Sequence, residues 1–90
     1  MDDKILTLHP LNKSGKNIDL DKYEAIKKEI VAALARQHLD HTALTASVVT
    51  ALTGKFDGNI SWYTETVKLD LEARKIIERT TSKPQRYRLV

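Results

Sequence analysis

The chain predicts a mainly α fold with a small β component: three helices, a C-terminal β-hairpin and an extended N-terminal arm. Three observations carry this. Apolar residues recur at steps of three and four along three separate stretches. Gly54 and Gly58 bracket a polar loop between the second stretch and the third. The third stretch then runs, without a long loop, into Ile76-Ile77-Glu78-Arg79, a polar turn holding Pro84, and Tyr87-Arg88-Leu89-Val90.

Residues 1–20 contain Ile5, Leu6, Leu8 and Leu11 followed by the turn-forming run Asn12 to Asn17, and read as an arm and a loop. The domain proper spans 21–90. Its first helix starts near Asp21, where an aspartate stands three residues before Glu24 and can satisfy unpaired N–H groups at a helix start. Tyr23, Ile26, Ile30, Ala33 and Leu34 form its buried stripe, with Lys22, Lys27, Lys28, Glu29 and Arg36 outside it. A connector over 37–41 leads to a second helix, capped by Thr42, in which Leu44, Val48 and Leu52 repeat at steps of four. Gly54 ends it, Phe56 plugs the core from the loop, Gly58 takes a positive φ and Asn59 caps the next helix. This third helix runs from about Ile60 to Arg74 and turns Ile60, Tyr63, Thr64, Val67 and Leu71 towards the other two. The hairpin pairs Ile76 to Thr80 with Arg86 to Leu89 across a turn at Ser82 to Gln85.

Ninety residues suffice for one core, and 41% hydrophobic with 30% charged residues is a globular composition. The absence of cysteine excludes disulfides and thiolate metal sites and is compatible with a reducing compartment. The apolar runs are too short to span a bilayer, and Met1-Asp2-Asp3-Lys4 lacks the basic and apolar regions of a secretory signal, so the expected setting is cytoplasmic with no membrane partner. The balance of 15 Lys and Arg against 12 Asp and Glu, +3, says little over the whole chain. Its distribution says more, since Arg79, Lys83, Arg86 and Arg88 occupy the tail with no acid among them.

The segment Leu71-Glu72-Ala73-Arg74-Lys75-Ile76-Ile77-Glu78-Arg79 is similar to the junction where winged helix-turn-helix domains leave the recognition helix and enter the wing. That junction reads leucine, two polar or small residues, arginine, glycine, two aliphatics, glutamate and arginine. Pro84 to Leu89 resembles a returning wing strand, and Gly58 to Arg79 also resembles a small bacterial family without an assigned function. The resemblance covers roughly 20–90 and implies double-stranded DNA as partner, in the manner of a transcriptional regulator. On it, Ser61, Trp62, Thr66 and Lys68 would lie near the groove and Arg79, Lys83, Arg86 and Arg88 on phosphates. Two departures accompany it: Lys75 stands in place of the glycine, by avoiding the left-handed conformation or by tolerating strain there, and the loop before the third helix exceeds a 3–4-residue turn.

The outward face of the third helix complicates the DNA reading. It carries Trp62, Glu65, Leu69 and Ala73, flanked by Asp70 and Glu72, and the acids would repel phosphates. Trp62, Leu69 and Ala73 make a second apolar stripe, and a helix apolar on two faces is usually covered on both. The cover is the arm folding back, a second copy of the chain, or another protein. The alternative function is accordingly a protein-interaction or dimerisation module without DNA binding.

Enzymatic chemistry, cofactors and metals are not expected. His38 and His41 flank Asp40 in a surface connector without a second ligand cluster apart from His9. Gly15 in Lys13-Ser14-Gly15-Lys16 lacks the earlier glycine and the strand-to-helix setting of a phosphate loop.

Overall fold

The stripe Tyr23, Ile26, Ile30, Ala33 and Leu34 lies buried along α1 (Leu20–Arg36) in a computed structural model that describes residues 3–90. It meets Leu44, Val48 and Leu52 of α2 (His41–Leu52) and Val67 and Leu71 of α3 (Ile60–Ala73) in one core. Ile60, Tyr63 and Phe56 pack partly buried against that core. The architecture is mainly helical with two small antiparallel hairpins: β1 (Lys4–Leu6) with β2 (Asn17–Asp19), and β3 (Ile77–Arg79) with β4 (Tyr87–Leu89).

The N-terminal segment is therefore a hairpin rather than an extended arm. Ile5 pairs with Ile18, and the ladder continues where Thr7 N–H donates to the Lys16 carbonyl at 2.8 Å. Thr7 Oγ1 also accepts from Lys16 N–H, at 2.8 Å. Gly15 is required by the close approach, because a Cβ there would stand 1.6 Å from the Thr7 carbonyl oxygen. The pairing also moves the start of α1. Leu20 N–H bonds to the Asp3 carbonyl at 2.8 Å, so the strand hands the chain directly to the helix. Asp21 falls inside the first turn instead of capping it, and Asp19, at the cap position, gives its carboxylate to Lys4 instead.

At α2 the cap is Asp40, which accepts from Ala43 N–H at 2.8 Å, and Thr42 is exposed within the first turn. The connector before it is extended because Leu39 bridges Tyr87: Tyr87 N–H donates to the Leu39 carbonyl at 2.7 Å and Leu39 N–H returns the bond at 3.3 Å. The connector thus pins the edge of β4 to the helices. Gly54 at φ 81° ends α2, Gly58 adopts φ 135°, and Asn59 caps α3 by accepting from Trp62 N–H at 3.0 Å.

α3 stops in a Schellman turn. Ile76 N–H reaches the Leu71 carbonyl at 2.9 Å and Lys75 N–H the Glu72 carbonyl at 3.1 Å, which satisfies two of the helix's last acceptors. Lys75 takes the left-handed conformation, φ 65°, that the motif ordinarily gives to glycine. The strain is tolerated because Leu71 and Ile77 on either side are anchored in the core. The C-terminal hairpin follows in the register Ile77 with Leu89, Glu78 with Arg88, and Arg79 with Tyr87.

Candidate functional site

Ser61 and Trp62 are displayed on the first turn of α3, and Thr66 is half-buried one turn on. Lys68 is not displayed. Its side chain is 3% exposed, with Nζ 2.8 Å from His41 Nδ1, 3.1 Å from Glu65 Oε2 and 4.6 Å from the centre of the Tyr87 ring. A buried ammonium needs each of its donors answered, and here an imidazole nitrogen, a carboxylate and a ring face answer them. The lysine expected at the groove therefore ties α3 to the start of α2 and to β4. His41, expected to be incidental, accepts from it.

Asp70 departs from expectation in the same direction. Rather than flanking the outward face, it is 0% exposed. Its carboxylate accepts from Tyr23 Oη, from Leu8 N–H at 2.8 Å, and from Arg74 Nε at 2.9 and 3.0 Å. Burial, reinforced by the bond to Asp70, pushes the Tyr23 hydroxyl well above the usual tyrosine range. The hydrogen bond to Asp70 likewise raises Arg74. One carboxylate thus joins the N-terminal hairpin, α1 and the end of α3.

This knot draws the hairpin loop over half of the second apolar stripe. Leu69 shares a hollow of about 480 Å³ with Pro10 and Leu11 of the loop. Ala73 shares another of about 480 Å³ with Leu6 and Leu8. Trp62 lies beyond their reach, 44% exposed, with its ring edge-on to Tyr63 at 4.9 Å. The three stripe residues are not brought into one continuous exposed patch.

On the C-terminal hairpin the four cations separate into two pairs. Arg79 Nε donates to Glu72 Oε2 at 2.8 Å and its guanidinium stands 5.5 Å from the Tyr87 ring centre. That bond, ahead of the other influences, raises its pKa. Arg88 pairs with Glu78 directly across the two strands. Lys83 and Arg86 are exposed and have no acidic partner among the described residues. Arg86, Arg88 and His38 border a hollow of about 380 Å³ with the hydroxyl residues Thr80, Thr81 and Ser82.

The profile of a family of unknown function (DUF6958) matches residues 4–87, from the first strand to the start of the last. The chain belongs to that family. No curated protein and no solved structure matches it. In this DUF6958 chain no helix among the described residues is long and apolar enough to cross a membrane.

The sequence does carry a trace of the Asp70 knot: Asp70 and Arg74 are one helical turn apart, and Asp70 sits between Leu69 and Leu71. For Lys68 the only local sign is Glu65 three residues before it, since its other side-chain partners, His41 and Tyr87, are distant in sequence. The DUF6958 surface offers exposed leucines at 6, 8 and 11, an exposed tryptophan and two hairpin cations without an acidic partner among the described residues. These can bind a macromolecule by apolar contact or by charge.

Proposed function

We propose that the chain is a non-enzymatic winged-helix-type module that binds protein rather than reading a DNA groove. One observation carries the choice: Lys68, the basic residue nearest the middle of the would-be recognition helix, is buried on His41 and Glu65. Groove readers need donors and positive charge on the outward face of the helix. Here that face offers Trp62 and half-buried Glu65 and Leu69, with the N-terminal hairpin loop beside its second half. Leu6, Leu8 and Leu11 are exposed together on the N-terminal hairpin, an apolar surface that suits protein contact, with Trp62 exposed separately on α3. The order of three helices and an arginine-bearing hairpin, tied back through Leu39 and Tyr87, supports the winged-helix part of the reading.

A second reading has its own observation. Lys83 and Arg86 have no acidic partner among the described residues, and Arg86 lines a hollow of hydroxyl residues beside the Arg88–Glu78 pair, a chemistry that suits phosphate oxygens. Fluorescence anisotropy with a random duplex separates the two. The protein-binding reading predicts no saturation at low salt with micromolar protein. Saturable binding that weakens steeply with added salt and disappears in Lys83→Ala/Arg86→Ala would replace it with the phosphate reading.

A further inference from the structure

The hollow between the N-terminal hairpin and the end of α3 combines an open strand edge, apolar walls and uncompensated positive charge. Thr7 bonds across to Lys16 and Asp3 to Leu20, and bonded pairs alternate in an antiparallel ladder. The N–H and C=O of Leu6 therefore point away from β2. Further along the same edge, Leu8 N–H reaches Asp70 on α3, which fixes the direction in which this edge faces. Leu6 and Leu8, 63% and 43% exposed, form one wall of a groove of about 480 Å³, and Ala73 lies on the other. Lys13 and Lys75 stand at its rim, exposed and without acidic partners among the described residues. The one acid of the lining, Glu72, is committed to Arg79 through Oε2. Its Oε1 is buried away from the groove, with no hydrogen-bond partner among the described residues.

We propose that this groove takes an extended acidic segment of a partner protein as an added strand along β1. Main-chain bonds to Leu6 set its direction, alternate apolar side chains lie on Leu6, Leu8 and Ala73, and the intervening carboxylates meet Lys13 and Lys75. The charge favours an acidic partner, and a concave groove favours a peptide over a flat lipid surface. The proposal rests on the protein-binding reading above and gives it a site distinct from Trp62.

The test is an amide NMR titration of the ¹⁵N-labelled full chain with a blocked heptapeptide of alternating valine and glutamate, against a valine–lysine heptapeptide as control. Saturable shifts centred on Leu6, Leu8, Ala73 and Lys75 are expected with the glutamate peptide alone. Lys13→Glu/Lys75→Glu, both at exposed positions, should weaken it at least about fivefold and favour the lysine peptide. The proposal is overturned by absent shifts, by shifts centred on Trp62 or the C-terminal hairpin, by equal binding of both peptides, or by co-sedimentation with phosphatidylserine vesicles when the peptide is silent. Random duplex added to the same sample distinguishes the failures: a silent peptide with no duplex binding removes only the groove assignment, whereas duplex binding removes the protein-binding reading itself.

Discussion

Lys75 and Tyr23 show how single residues set the stability of this chain. A lysine at φ 65° carries a steric cost that glycine does not, while glycine loses more backbone entropy on folding. The first effect wins at a left-handed Schellman position, so Lys75→Gly should stabilise the chain by about 0.5–1 kcal/mol in urea unfolding. A loss of stability would mean that the lysine side chain makes a compensating contact. Tyr23 is a proton-linked residue. Its folded pKa is raised, so its contribution is fully present below the unfolded tyrosine value of about 10 and drains away as pH rises from there through the folded value. Tyr23→Phe should therefore flatten the alkaline loss of stability. At neutral pH it should cost about 1–2 kcal/mol, because the buried Asp70 loses a donor. An unchanged alkaline profile would show that burial and the bond to Asp70 do not raise the hydroxyl's pKa on folding.

At the scale of elements, the N-terminal hairpin depends on one glycine. Gly15→Ala would place a methyl carbon 1.6 Å from the Thr7 carbonyl oxygen, a backbone atom that cannot swing aside. A destabilisation of roughly 2 kcal/mol or more in thermal or urea melts is expected, with early loss of hydrogen-exchange protection at Thr7 and Lys16. A neutral substitution would mean that the hairpin forms in another register. The same hairpin was the least legible element in the sequence. Its strands are three residues long, too short for alternation to register, and their pairing is fixed by Gly15 and by Thr7 bonding to a residue nine positions away. The helices were legible because each repeats one apolar stripe that the core needs: the α1 and α2 stripes are buried throughout, and the α3 face packs inward. Their starts were less so. Asp19 and Asp40 occupy the cap positions of α1 and α2, where Asp21 and Thr42 were expected, because strand pairing and the Leu39 bridge decide where each helix begins.

Across the whole molecule, polar side chains of α3 act as ties between distant parts of the chain. Asp70 reaches Leu8 and Tyr23, at separations of 62 and 47 residues, and Lys68 reaches His41 and the Tyr87 ring. Such burial is set mostly by partners far apart in sequence, Arg74 and Glu65 being the local exceptions, and for this reason the outward face of α3 looked more charged in sequence than it is in the fold. The functional account rests on the same fact: the cation expected at the centre of a groove-reading surface is consumed in holding α2, α3 and β4 together. The most direct measurement is the side-chain ¹⁵N NMR signal of the Lys68 ammonium, with and without a random DNA duplex. The account predicts slowly exchanging Nζ protons at Lys68, rapidly exchanging ones at Lys83, and no movement of the Lys68 signal when duplex is added. A Lys68 ammonium that exchanges as fast as that of Lys83, or shifts on binding duplex, would contradict it.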